Sequence, residues 1–363
     1  MKITFPHMGS IYIPGEAFLQ ELGHEVVVPP LATQRTLELG CKHAPEVACL
    51  PLKVMIGGFL EALALGADTV LMIGGTGPCR LGYYAEVQRQ ILEELGTGLD
   101  ILVLEQPFEN PRRITQDVRR LLNRKGIKAL PRALRVAWEK LKACEALEET
   151  ALAVRPRERH RGLARLALAE ALGNLRQADT IRTIQRAVQD GQAALWEVAD
   201  PHKEAMLHIA VVGEIYTVLE PFVNLQLEER LGQLGVEVIR TISVVQWVKD
   251  HVIKGSVGLY KTTRLERSAA GYLRGCIGGH GLETVARTND LGKQGVDGVV
   301  QILPFTCMPE VVAQAILPAV SQDLDLPILS LVVDEHTGEA GFQTRLEAFV
   351  DLISRREGTC AHG

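Results

Sequence analysis

The sequence lacks several features that would place it at once in a simple functional class. None of its 363 residues belongs to an apolar run long enough to span a bilayer, and the opening stretch MKITFPHMGS lacks a secretory leader pattern. The formal net charge of −5 gives no general attraction to nucleic acid or to an anionic membrane. We therefore expect a cytoplasmic protein with neither nucleic acid nor a membrane as its partner.

The chain also lacks the glycine signatures of common nucleotide sites. The loops at Gly213 and at Gly278–Gly281 match neither GxGxxG nor the Walker pattern. Tight turns are the default explanation of both loops, although either would admit a phosphate close to backbone N–H groups. We expect no dinucleotide or ATP site of the usual kind.

Paired cysteines are missing as well. The cysteine count is odd, the residues are widely scattered, and none forms a CxxC pair. In a cytosolic chain this pattern argues against a disulfide framework. It leaves inert thiols, a nucleophile, or a metal site assembled from distant segments. The seven residues are Cys41, Cys49, Cys79, Cys144, Cys276, Cys307 and Cys360.

What the sequence does contain is an alternation of strand and helix patterns, which predicts an α/β fold with parallel sheets. Residues 1–110 and 206–363 show this alternation, whereas residues 111–205 carry apolar residues at three- and four-residue steps and no strand-like runs. We predict an N-terminal α/β domain, a helical domain and a C-terminal α/β domain with these boundaries.

The stretch from Thr69 to Leu92 organises the first α/β domain. It is typical of a buried strand, a glycine loop containing Cys79, and a helix. The second domain repeats this plan, with Cys307 in the loop after a strand. Because ligands bind beyond the carboxyl ends of strands in open parallel sheets, we expect both cysteines at a common cleft.

Cys49, Cys79 and Cys307 each lie beside a proline and next to a predicted helix start. A helix N-terminus favours a thiolate, and three thiolates suit a metal centre. Zinc would take a fourth ligand such as His7 or His280. Three cysteine ligands would leave one iron of an iron–sulfur cluster open to substrate or solvent. The spacing by itself does not decide between these centres and structural thiols.

Acid–base candidates follow the same predicted strand ends. We take His280 and Glu310 as the catalytic candidates, although a carboxylate in the first turn after Pro309 also suits the helix dipole without any catalytic role. The remaining candidates are His7, Glu46, Lys53, Glu214, Glu283 and Asp334.

Several long strings resemble a known family, the 2-hydroxyacyl-CoA dehydratase component D superfamily, whose relatives are often labelled acyl-CoA dehydratase activase-related or CoA-substrate-specific enzyme activase. The resemblance covers both α/β domains. The strings are FPHMG, VVVPP, RTLELG, PEVACLPLK, GADTVLMIGGTGPCRLGYYAEVQ, GEIYTVLEPF, IGGHG, LPFTCMPEVVAQ and DEHTGEAGFQTRLEAFVD.

This resemblance implies two Rossmann-like domains, a helical domain and a [4Fe–4S] cluster, with a larger double-cubane cluster as the alternative. It implies Cys49, Cys79 and Cys307 as metal ligands, low-potential electrons from an ATP-dependent activase partner, and a second subunit or a homodimer. Dehydratase members use the open iron to bind a 2-hydroxyacyl-CoA thioester and eliminate water. Some relatives have cysteine where this chain has Thr76, which leaves Cys276, then Cys41, as candidates for a fourth ligand.

Three functions remain open from the sequence. The first is an iron–sulfur reductase or dehydratase-like enzyme. The second is a non-catalytic electron carrier or cluster-transfer component. The third is an α/β scaffold with inert cysteines. Because the chain lacks the ATP signatures of the activase, we expect the cluster-bearing, electron-accepting component.

Overall fold

The computed structural model describes residues 1–74, 80–104, 111–122, 125–250 and 263–360. Their contacts divide the chain into two compact units. Unit 1 comprises Met1–Cys144, Gly173–Ala187 and Trp247–Tyr260, and unit 2 comprises Glu145–Leu172, Val188–Gln246 and Lys261–Gly363. The predicted three-domain division stays a prediction.

Each unit contains one four-stranded parallel sheet, which confirms the α/β prediction. The strands of unit 1 lie in the order β2-β1-β3-β4, and those of unit 2 in the order β6-β5-β7-β8. The bounds are β1 Lys2–Thr4, β2 Glu25–Val26, β3 Thr69–Ile73, β4 Asp100–Leu104, β5 Leu207–Gly213, β6 Val236–Arg240, β7 Gly298–Pro304 and β8 Ile328–Val333.

The helices account for most of the other described residues. They are α1 Tyr12–Glu21, α2 Gln34–His43, α3 Leu50–Ala64, α4 Tyr84–Glu94, α5 Pro111–Leu122, α6 Leu130–Val154, α7 Leu163–Gln177, α8 Ile181–Glu197, α9 Ile215–Leu219, α10 Leu227–Gln233, α11 Val244–Trp247, α12 Thr263–Ala269, α13 Gly281–Lys293, α14 Met308–Leu324 and α15 Glu339–Cys360. Helices α5 to α8 confirm the helical character predicted for residues 111–205.

The central strands are apolar on both faces because helices cover parallel sheets on each side. In unit 2, every residue of β7 is buried, and its register pairs Val299 with Ile328 and Pro304 with Val333. In unit 1, β3 and β4 pair from Thr69 and Asp100 to Ile73 and Leu104. Strand bounds therefore follow the apolar runs that the sequence shows.

Helix starts follow local capping chemistry. The side chain of Thr33 accepts a hydrogen bond from the Thr36 backbone N–H, and the side chain of Thr36 accepts one from the Thr33 backbone N–H, which makes a capping box for α2. The sequence predicts Thr33 as the cap of the helix that follows it, and the structure confirms this. Helices α2 and α3 then pack closely, since a Cβ on Gly57 would lie 1.8 Å from the Thr36 carbonyl oxygen.

The sequence from Glu220 to Leu234, with Gly235 as its stop, predicts one continuous helix, and this prediction is wrong in its extent. A short helix, α9, begins earlier because the Glu214 carboxylate accepts hydrogen bonds from the Tyr216 and Thr217 backbones. Leu225 and Gln226 then adopt positive φ angles of 52° and 58°, which interrupt the helix before α10.

Candidate functional site

Strand order places the candidate site of each sheet at the edge formed by the carboxyl ends of its strands, beside one particular pair. In both units the first and third strands lie side by side, with the second strand on the far side of the first. The strands are therefore added to the sheet in one direction before this pair and in the opposite direction after it, which makes the pair a topological switch point. Ligands of open α/β sheets bind beyond the carboxyl ends of the strands at such a point. The loops after β1 and β3 in unit 1, and after β5 and β7 in unit 2, occupy these positions.

In unit 2, Gly213 ends β5 at this edge in a conformation that only glycine tolerates. Its φ is 142°, and a Cβ there would lie 1.9 Å from the carbonyl oxygen of Ile302 on β7. The next residue, Glu214, caps α9 with both carboxylate oxygens, at 3.0 Å from the Tyr216 nitrogen and 2.8 Å from the Thr217 nitrogen. The structure thus gives this candidate acid a capping role.

Cys307 follows β7 at the same edge and is the N-cap residue of α14. Pro309 stands at the second helical position, where a missing N–H costs nothing. Thr306 precedes the cysteine with a φ of 69°, a left-handed conformation that costs a threonine about 1–2 kcal/mol. The thiol is 9% exposed. The predicted position of Cys307 at a helix start is confirmed.

His280 occupies the N-cap position of the neighbouring helix, α13. A Cβ on Gly281 would lie 2.5 Å from the carbonyl oxygen of Pro309, so the first turns of α13 and α14 lie against each other. His280 Nε2 lies 3.6 Å from a carboxylate oxygen of Glu283. The structure therefore brings His280 and Cys307 to adjacent helix starts.

Cys276 precedes the Gly278–Gly281 loop and is exposed. Its sulfur accepts a hydrogen bond of 3.4 Å from the Gly278 backbone. It therefore lies in the loop that leads into α13 and is accessible to solvent, and its role as a fourth ligand stays a prediction.

Glu310 lies in the first turn of α14 and is fully buried. The Thr284 hydroxyl donates to its two carboxylate oxygens at 3.0 and 3.1 Å, and Gln301 Nε2 donates to one of them at 3.0 Å. Gln301 is itself held by the Ser330 hydroxyl at 2.8 Å. The carboxyl group thus has fixed polar partners on α13 and β7, and β8 in turn holds the partner on β7.

Burial raises the pKa of Glu310 from 4.5 to about 7, against the lowering effect of the hydrogen bonds from Gln301 and Thr284. The carboxylates of Glu214 and Glu283 raise it further. A carboxyl group that titrates near neutral pH can store or release a proton under physiological conditions. Because it has no exposed surface, it would act on the site through its neighbours rather than by touching a substrate.

In unit 1, Cys49 is the N-cap residue of α3, with Pro51 at the second helical position. This repeats the Cys-x-Pro arrangement of Cys307 and confirms the predicted helix start. The sulfur of Cys49 is within hydrogen-bonding contact of the Tyr84 hydroxyl, at the first residue of α4. Cys49 is 8% exposed and Tyr84 is 4% exposed, so the pair is withdrawn from solvent.

The other cysteine candidates of unit 1 lie in different places. Cys79 and the departure at Thr76 lie outside the described residues. Cys41 is half-buried in α2. Cys144 is 1% exposed in α6, and its thiol donates to the Ser10 carbonyl at 3.8 Å, which is typical of a structural cysteine.

His7 follows β1 at the candidate edge of unit 1. It is buried, and its ring stacks on Tyr12 with the ring centroids 5.6 Å apart. Lys53 is buried within α3. Both residues are therefore packed into unit 1 rather than presented to solvent.

Three of the residues around the site were missed by sequence reasoning. Gln301 could have been found from the sequence, because an amide inside the apolar strand GVVQILP needs a buried hydrogen-bonding partner. Thr284 and Tyr84 could not have been found in this way, since their partners lie 26 and 35 residues away in the chain.

Within the described ranges, no three histidine, cysteine, aspartate or glutamate side chains are grouped so that they could hold a metal ion. The predicted ligand set is not covered by this finding, because it includes Cys79. The described part of the chain also contains no helix with the length and apolarity needed to cross a membrane.

Comparisons with known proteins add no family assignment. No protein-family model matches the chain, and a search of curated proteins returns no significant match.

Proposed function

We propose that this chain is an iron–sulfur protein of the 2-hydroxyacyl-CoA dehydratase type. It accepts low-potential electrons from an ATP-dependent activase in the cytoplasm, and its two sheet units are Rossmann-like domains. Cys49, Cys79 and Cys307 ligate a [4Fe–4S] cluster. When bound, the cluster supplies electron transfer and an open iron site for reductive or dehydratase chemistry.

The single observation that carries the proposal is the repeated Cys-x-Pro helix start. Cys49 and Cys307 are both N-cap residues, both nearly buried, and both followed by proline at the second helical position. The donor set fits an iron–sulfur cluster, since thiolates are its usual protein ligands and a helix N-terminus stabilises their negative charge. Cysteines with only a structural role are not expected to occupy the same helix position in both units.

The apolar side chains around Cys307 favour a bound ligand or protein partner at this edge of the unit 2 sheet. Phe305 and Met308, on either side of the cysteine, are 60% and 63% exposed. Exposed apolar residues that flank a polar site favour contact with a protein partner or with the apolar part of a ligand. Either an activase or an acyl thioester fits this surface.

The second candidate function is a non-catalytic electron carrier. It is favoured by the complete burial of Glu310, because a buried carboxyl group cannot exchange protons directly with a bound substrate. A closed, four-ligand cluster would accompany this function, whereas an open iron would accompany the enzyme.

The decisive experiment is anaerobic purification followed by iron and sulfide counting and electron paramagnetic resonance. We expect Cys79→Ala to lose the cluster. Cys144→Ala is the matched control, since that thiol is buried against the Ser10 carbonyl. Equal iron content in the two variants would contradict the ligand assignment, and a colourless, iron-free wild type would support a scaffold with inert cysteines.

A further inference from the structure

A cavity of about 480 Å³ lies between α12 and α13 in unit 2. This volume is within the usual range of small-molecule sites. Six residues line the cavity, and none of them has an aromatic or an aliphatic side chain. They are Arg264, Arg267, Ser268, Asp290, Lys293 and Gln294. The lining therefore suits charged and hydrogen-bonding groups rather than an aromatic ring or an acyl chain.

The length of α13 separates this cavity from the candidate site of unit 2. His280 occupies the N-cap position of α13, whereas Asp290 and Lys293 lie in its last turn. At 1.5 Å per residue, the two ends of this helix are about 18 Å apart. Asn289, which is 4% exposed, donates from Nδ2 to the Ser268 carbonyl oxygen at 2.6 Å. This hydrogen bond ties α12 to α13 and so holds the two walls of the cavity together.

Positive charge predominates in the cavity. Its lining contains three cations and one carboxylate, that of Asp290, which gives a formal charge of +2. Arg267 and Lys293 lie in the last turns of their helices, where the helix dipole favours a cation. Arg264 lies in the first turn of α12, where the dipole disfavours one, and it has no ion-pair partner within the described part of the chain. A bound anion would supply that partner.

We propose that this cavity binds a small phosphorylated molecule through Arg264, Arg267 and Lys293. The two arginines are three residues apart on α12, so they lie on the same side of the helix. A guanidinium group donates two parallel hydrogen bonds to a phosphate, and Lys293 adds a positive charge from α13. The phosphate belongs either to inorganic pyrophosphate or to the phosphate ester of a small metabolite. This site goes beyond the proposed function and does not depend on it.

The test is isothermal titration calorimetry of the full chain with inorganic pyrophosphate, and separately with glycerol 3-phosphate, at constant ionic strength without divalent cations. Arg264→Gln and Lys293→Gln each remove one cation from the cavity. Arg161→Gln is the matched control, because Arg161 is an exposed cation of unit 2 outside the cavity. All three positions are exposed, so we expect the variants to keep the fold, as circular dichroism would check.

We expect wild type and Arg161→Gln to bind one of the two probes with equal affinity. Arg264→Gln and Lys293→Gln should bind that probe about tenfold more weakly, because each loses a charge-assisted contact. Preference for glycerol 3-phosphate would identify an ester as the ligand, and preference for pyrophosphate would identify the inorganic anion.

Three results would overturn the proposal. The first is equal weakening in all three variants, which would mean that only the overall charge matters. The second is the absence of binding of either probe at millimolar concentration. The third is tighter binding of a hexaglutamate peptide than of either probe, because it would assign this surface to an acidic protein.

Discussion

Glu310→Gln is the substitution with the most informative pH dependence. An amide has nearly the shape of the protonated carboxyl group but never ionises. Its oxygen can accept from Gln301 Nε2, and its NH₂ group can donate to the Thr284 hydroxyl, which serves as donor or acceptor. The variant therefore keeps the hydrogen-bonding network and removes the titration.

The magnitude follows from the shifted pKa. With a pKa of about 7 in the fold and 4.5 as its ordinary value, the folded chain binds the Glu310 proton more tightly than the unfolded chain. The contribution to stability is therefore complete below the ordinary value and is lost as pH rises through the folded pKa. At about 1.4 kcal/mol per unit, the full loss is about 3 kcal/mol. About 2.5 kcal/mol of it falls between about pH 5 and about pH 8.

The assay is urea unfolding followed by circular dichroism across that pH range. We expect wild type to lose stability relative to Glu310→Gln as pH rises, with the variant the more favoured at the alkaline end. Glu93→Gln, an exposed change in α4, controls for the loss of one negative charge and should follow wild type. Parallel pH profiles for wild type and Glu310→Gln would refute a neutral-range pKa at this site.

The remaining predictions concern backbone geometry and buried charge. Gly213→Ala should cost about 2 kcal/mol or more, because its Cβ would meet the Ile302 carbonyl oxygen. Gly341→Ala, which meets no neighbour within 4 Å in α15, should gain up to about 1 kcal/mol, and equal urea midpoints for the two would contradict the prediction. Arg240→Met should cost about 3–5 kcal/mol, because it removes the ion-pair partner of Glu148 and leaves Glu228 with Arg155 alone. Adding Glu228→Gln should recover part of that loss in thermal melts, and no recovery would count against the buried ion pairs.

Much of the fold could be predicted because its signals are local. The strands Asp100–Leu104 and Ile328–Val333 are apolar apart from Asp100 and Ser330, so the sequence pattern predicts both. The error at Glu220–Leu234 is a local break in the backbone that the spacing of apolar residues does not reveal. There the backbone turns through Leu225 and Gln226, and the Asn224 side chain accepts from the Leu227 nitrogen at the start of the next helix.

The candidate site divides in the same way. The helix starts at Cys49 and Cys307 were predicted because proline at the second helical position marks a helix N-terminus within a few residues. The environment of Glu310 was not predicted. Its partners come from a strand and another helix, and a first-turn glutamate has the same sequence signature whether it is exposed or enclosed.

The sequence by itself determined the alternation of strands and helices, the parallel sheets and the cap positions of two cysteines, since each depends on residues that are neighbours in the chain. Only the tertiary structure decided which polar groups meet, because the Tyr84 hydroxyl and the Glu310 carboxyl group find their partners across the fold. Burial there replaces water with a few fixed donors, and so the same residue types acquire a new hydrogen-bonding partner in one case and a shifted pKa in the other.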